Sequence, residues 1–252
     1  MTVNETRISI AERRRRVCII GAGAGGLISC KELIDQGLEV VVYEAAECVG
    51  GTWVLRDQDG GTSTSYSSTG YGNRGLDVNQ HSSMYDALHT NLPKDLMNIP
   101  GFTMGDDHTE RYPHRTVVRD YLQDYCDVCG LAAHIQFNTT VTRAEYMGSS
   151  VACKDAEIHK LYYCDRQWSV HLLTNVDGVI EERVERFDAI VSANGHYSQP
   201  RLPTGSLGQQ LKSHYTGSVI HSHRYRRPNG YEGKDIAFQP TTTQCSLHHN
   251  GD

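Results

Sequence analysis

Apolar residues along this chain follow two periodicities, with a change near residue 135. Residues 17–20 are a short continuous apolar run, the mark of a strand buried on both faces. An amphipathic stretch beginning at Leu27 reads as a helix, and residues 39–43 read as a second strand. Helical spacing returns at 83–88, and again at 115–129, where Val118, Tyr121, Leu122 and Tyr125 share one face and Gly130 stands ready to end the helix. From 135 to about 190 the alternation becomes strand-like, in segments 135–141, 159–164, 167–173 and 179–187, with Asn175 and Gly178 as turn residues. This order predicts one parallel strand followed by an antiparallel meander. Residues 188–193 supply a last short strand. The stretch from 57 to about 83 is a long polar loop, rich in glycine and serine, and 238–252 is a polar tail without a period. No internal repeat is visible. The expected fold class is α/β: a Rossmann-like, doubly wound fold with a central parallel sheet and an antiparallel β-meander.

Composition narrows the picture modestly. The 252 residues suit one large domain or two small ones, and the 38% hydrophobic content allows a core without making it generous. No run approaches the ~18 apolar residues of a membrane span. A net charge of -6 argues against general nucleic-acid binding. Arg13–Arg16 are not followed by a signal-peptide apolar region, so they read as a solvated lead-in and the expected location is cytoplasmic. The eight cysteines do not form a disulfide scaffold in a chain this long. Cys126 and Cys129 have redox-motif spacing, but Asp124 and Asp127 beside them would raise a thiol pKa. They read as helix neighbours. Cys153 and Cys164 are poorly spaced for zinc, so no metal site is expected.

The chemistry concentrates in the first turn. Gly21, Ala22, Gly23, Ala24, Gly25 and Gly26 have the form G-x-G-x-x-G between a strand and a helix. Gly21 permits the tight turn, Gly23 lets the backbone approach a pyrophosphate, and Gly26 lets the helix lie close on the sheet. The free N–H groups of the helix start then face the phosphates. About 20 residues on, Glu44 ends the second strand, where an acidic side chain binds ribose hydroxyls. A second glycine turn follows at Val49, Gly50, Gly51, Thr52 and Trp53. Asn91 taken alone is an Asn-Leu-Pro turn.

Taken together, these residues resemble the flavin-containing monooxygenases. Tyr215, Gly217, His221, Tyr225 and Arg226 look like that family's motif F-x-G-x-x-x-H-x-x-x-Y/F-K/R, with Tyr215 in place of Phe. The Tyr-Arg ending favours the N- and S-oxygenating branch over the Baeyer–Villiger enzymes. Val49–Trp53, residues 81–97, Tyr112, Pro113 and His114, and the 192–197 stretch followed by Pro200 are similar to other family segments. The resemblance implies FAD as cofactor, with its pyrophosphate at Gly21–Gly25 and its ribose at Glu44. Gly51, Thr52 and Trp53 would line one side of it, and Thr90, Asn91 and Leu92 the other. It assigns Asn91 the catalytic place near flavin N5, where a neutral amide donates to a peroxide without discharging it. The implied reaction is a C4a-hydroperoxyflavin monooxygenation of the N,N-dimethylaniline type. NADPH reduces FAD, and one oxygen atom of O2 passes to an amine nitrogen or sulfide. For His221 two roles stay open, coupling the nucleotide domains or satisfying backbone groups at their junction. A homo-oligomer is also open.

The resemblance predicts a second glycine turn for NADPH after residues 233–236. Pro240 and the threonine run that follow cannot supply it. The expected organisation is a disordered lead-in (1–16), an incomplete FAD-binding domain (17–236) and an unrelated polar tail (237–252). Two functions follow: a monooxygenase of which this is the N-terminal part, or a non-catalytic FAD-binding form without the NADPH domain.

Overall fold

The computed structural model describes residues 14–56, 82–105, 110–148, 167–176, 178–197, 213–214, 216–217 and 219–237. The expected loop after residue 57, the 159–164 strand, the polar tail, Tyr215 and Pro200 lie wholly or mostly outside them.

Strand β1 (Arg16–Ile20), helix α1 (Ala24–Asp35) and strand β2 (Glu39–Tyr43) form the opening β-α-β unit. Helix α2 (Arg115–Val128) follows, then β3 (Ile135–Gln136), β4 (Thr139–Tyr146), β5 (Trp168–Val176), β6 (Val179–Phe187) and β7 (Ala189–Ser192). The strands make two sheets. One is parallel, in the order β3-β2-β1-β7; the other is antiparallel, in the order β4-β5-β6.

Strand alternation explains the layering. Ile19, Val40 and Val42 face α1 and α2 in a cluster with Leu27, Val118 and Leu122. Cys18 and Tyr43 point the other way, into a second cluster with Val170, Leu172 and Phe187 of the meander. The parallel sheet is therefore covered on both faces, which is why its strands are continuously apolar. Arg16 joins the layers at the edge: its guanidinium pairs with Glu39 (2.8 Å) and Glu185 (2.7 Å) and lies over the Phe187 ring.

Four expectations needed correction. Arg16, expected in the disordered lead-in, opens β1, because its main chain pairs with Glu39 and its guanidinium is held by Glu39 and Glu185. Helix α1 begins at Ala24 rather than Leu27, so the glycine turn itself supplies the first helical residues. Residues 83–88 are not helical but an irregular segment with one turn. Their main chain is committed elsewhere: Asp86 N–H donates to Arg226 O, and Leu88 O accepts from Arg115 N–H. Residues 135–141 are two strands rather than one. Asn138 (φ +51°) takes the left-handed conformation that Asn tolerates, and carries the chain from the parallel sheet into the meander. Gly130 (φ +66°) follows the end of α2 as expected.

Candidate functional site

Two glycines of the first turn, Gly21 and Gly26, are demanded by distance. Gly21 (φ +97°) donates its N–H to Tyr43 O (2.8 Å), and a Cβ on it would stand 2.7 Å from Ala193 O. A Cβ on Gly26 would stand 1.9 Å from Gly21 O, so only glycine lets α1 lie against the turn. Gly23 meets the second glycine turn: a Cβ on Gly51 (φ +53°) would reach Gly23 Cα at 3.0 Å, and Gly50 N–H donates to Ala22 O (3.1 Å). Gly25 is different. Nothing lies within 4 Å of the position its Cβ would take.

At the start of α1, the first N–H groups lie outside the helical ladder, and the first turn holds no acidic residue. This end can receive an anion. Glu44 is buried at the end of β2. Its Oε2 accepts from Ala22 N–H (2.6 Å) and its Oε1 from Ala46 N–H (2.8 Å). A carboxylate has about four acceptor positions, so two remain to receive hydroxyls. Beside it lies a small cavity of about 30 Å³ lined by Glu44, Ala46, Cys48, Gly51 and Arg56. A second, apolar cavity of about 150 Å³ separates the start of α1 from α2, between Ala24, Ile28, Trp53, Val118 and Tyr121. The chain thus presents an anion cradle, a diol acceptor and an apolar wall in sequence, a donor and acceptor set that suits a dinucleotide.

Of the other expected site residues, Thr52 is exposed and Trp53 is half-buried against the helix-side core. Thr90 is buried: its N–H donates to Pro113 O (3.0 Å) and its hydroxyl to Leu92 O (2.8 Å). That turn leaves Asn91 and Leu92 exposed. The structure joins the two glycine turns and Glu44 directly, whereas the Thr90–Leu92 turn is held by the lead-in to α2. A link between the two groups runs through Ser82, whose hydroxyl donates to Thr52 O (2.7 Å).

His221 satisfies backbone, its Nδ1 accepting from His223 N–H (3.1 Å). His223 is buried and its Nδ1 lies 2.6 Å from Ser83 Oγ. Arg226 was recognised as the end of a motif, but not for what it does: its guanidinium binds main-chain carbonyls of Arg56, Ser82, His223 and Tyr225. The only sequence signal was its place in that motif. Asp86 was missed altogether. Arg115 Nη2 holds its carboxylate at 2.8 Å and keeps its pKa below the ordinary range. Cys126 is buried in α2, and burial, with Asp127 and Cys129 adding to it, pushes its thiol up to about 11. That fits a packed helix residue better than a redox centre.

A glycine turn opening a helix, a buried carboxylate ending the next strand, and a meander inserted ahead of the last parallel strand define a dinucleotide-binding α/β domain. A family model described as flavin-binding monooxygenase-like matches residues 14–239. Among curated proteins, the flavin-containing monooxygenase FMO GS-OX-like 9 of Arabidopsis thaliana is 34% identical over 252 aligned residues, covering 94% of this chain and 50% of that protein. FMO GS-OX-like 2 of the same plant is 34% identical over 88% of this chain and 43% of its own length. Among solved structures, the S-allyl-L-cysteine S-oxygenase of Allium sativum superposes with a TM-score of 0.62 at 29% identity, covering 86% of this chain and 43% of that one. Tmm from Pelagibacter sp. strain HTCC7211 gives 0.56 at 25% identity, over 84% and 42%. The chain belongs to the flavin-binding monooxygenase-like family. It spans about half the length of the curated relatives it matches. Among the described residues no helix is long and apolar enough to cross a membrane.

Proposed function

We propose that this chain binds FAD across its two glycine turns and serves a monooxygenase that uses NADPH and O2 to oxygenate a soft nucleophile, a sulfide first and an amine second. The observation that carries the reading is the contact of Gly23 with Gly51 beside the buried Glu44 carboxylate. Two chain segments without side chains meet where a pyrophosphate needs close backbone approach. The ribose acceptor stands next to them. Preference for sulfur draws on the Allium relative, whose name gives it S-oxygenation of S-allyl-L-cysteine.

In this reading the N–H groups at the start of α1 receive the pyrophosphate, and the helix dipole favours its charge. The remaining acceptor positions of Glu44 hold the ribose hydroxyls. Gly51, Thr52 and Trp53 line one wall of the ring site; Thr90, Asn91 and Leu92 line the other. The exposed Asn91 amide donates a hydrogen bond while having no proton to release. Trp53 and Leu92 keep water away. Bound FAD supplies hydride acceptance from NADPH and activation of O2; the protein supplies position and dryness.

The test is the visible spectrum of the purified chain with FAD, before and after anaerobic NADPH. A yellow protein that NADPH bleaches is the expected result for a chain with its own hydride path. A yellow protein that NADPH leaves unchanged supports a flavin-holding chain that does not take hydride by itself. A protein that stays colourless with added FAD overturns the reading.

A further inference from the structure

Arg226 binds main chain just beyond one segment proposed above as a wall of the ring site and, upstream of the other, at the start of the stretch that leads to it. Its Nε donates to Arg56 O (3.2 Å), just beyond Trp53 on the first wall. Its Nη2 donates to Ser82 O (2.8 Å), where the second segment begins. Nη1 donates to His223 O (2.6 Å) and Tyr225 O (3.0 Å), which seats the guanidinium on its own strand of chain. The Arg226 carbonyl in turn accepts from Asp86 N–H (2.8 Å). From there the bonds run on toward Asn91. The Asp86 carboxylate is held by Arg115, Leu88 O by Arg115 N–H, and Thr90 N–H by Pro113 O.

These four carbonyls are significant because they belong to separate segments of the chain. A guanidinium that meets carboxylates neutralises charge; one that meets main-chain oxygens from separate segments fixes where those segments lie. Arg suits this because its donors sit in a rigid planar fork that keeps its charge at any ordinary pH. Hydrogen bonds from a charged donor are also stronger than neutral ones. Ser82 adds a second stitch between the same segments through Thr52 O.

We infer that Arg226 is a positioning residue that sets the distance between the Gly51–Trp53 wall and the Thr90–Leu92 wall. The identity of those walls rests on the FAD reading; the contacts do not.

The test is amide hydrogen exchange on the full chain, comparing wild type with Arg226→Met and Arg226→Lys, followed by FAD titration. Arg226→Met keeps the aliphatic stem and loses every donor. Expected is at least tenfold faster exchange in both 50–56 and 82–92, with β4–β6 unchanged, and Arg226→Lys falling between. Flavin affinity should weaken about tenfold in Arg226→Met, with a changed visible circular dichroism of the bound flavin. Faster exchange confined to 219–227, or none, overturns the proposal, because a purely local role would loosen only that segment. If Arg226→Met does not fold, Arg226→Lys carries the decision: its single nitrogen cannot reproduce the fork, so wild-type exchange in both walls overturns it. If wild type takes up no FAD, the cofactor reading falls on that result alone, and the exchange data still decide whether Arg226 spaces the two segments.

Discussion

The opening β1-α1-β2 unit and the β4–β6 meander lean on the same parallel sheet, yet they are fitted to it in opposite ways. In the first, distances are set by side chains that are missing. Gly21, Gly26 and Gly51 bring main chain within reach of main chain, and a methyl group on any of them would press on backbone atoms that cannot swing aside. In the meander, distances are set by side chains that are present. Val170, Leu172 and Phe187 are buried against Cys18 and Tyr43, while Val179, Ile180 and Val184 of β6 face outward. A close-approach region has few acceptable sequences because its neighbours are main-chain atoms with no freedom to move aside. A side-chain interface has many, because cores accept changes that keep volume and pattern.

Adding one methyl group in the close-approach region should break it most severely. Gly26→Ala is expected to cost about 3 kcal/mol or more, since its Cβ would meet the Gly21 carbonyl rather than a flexible tip. Urea unfolding measures this, with Gly25→Ala as the control. There the methyl meets nothing, and Ala is the better helix former by ~1 kcal/mol, so the ligand-free protein should become slightly more stable. Equal losses for the two variants would end the distinction.

A moderate effect is expected in the meander. Phe187→Leu keeps the site apolar but gives up the edge-to-face contact with Tyr43 and the Arg16 guanidinium over the ring, about 1–2 kcal/mol. The melting temperature should fall by several degrees while FAD affinity stays within a factor of about two. A loss of FAD binding as large as that of Gly26→Ala would show that the regions are not separable.

The smallest effect concerns acid. Burial of Glu185 would raise its pKa, but hydrogen bonds from Arg183 and Arg16 outweigh it and leave the folded value below the ordinary one. Its contribution is therefore present above the unfolded pKa of about 4.3, and is lost as pH falls through the folded value. The stability gap between wild type and Glu185→Gln should narrow below about pH 4. A gap that stays constant from pH 7 to 3 would refute this link between the layers.

These same regions differ in how plainly they could be read from residues alone. The β1-α1-β2 unit was legible because both periodicities and the glycine spacing are local. The range expected for β2 matches the structure at both ends, and so does that for β6. Residues 83–88 misled because six residues cannot sustain a helix when distant groups claim their main chain. Those groups, Arg226, Arg115 and His114, are far away in sequence. Asn138 was overlooked because an apolar run hides a single left-handed residue. Of the site, Glu44 and the glycines were foreseeable from spacing. The carbonyl-binding role of Arg226 was not, since no local pattern says which oxygens a guanidinium will find.

Strand β1 has one neighbour close by in the chain and another far off. Val17 pairs with Val40 on one side and with Ala189 on the other. Asp188 also receives the Arg16 N–H across 172 positions. During synthesis, the glycine turn can therefore take shape early, but the carbonyl of Ala193 that closes its far side arrives only after the whole meander has been made. Between those moments the nascent chain carries an open-sided glycine turn beside an unpaired strand edge, a template for unwanted pairing. Among the described residues the turn is therefore closed only when β7, far downstream in the chain, has joined β1.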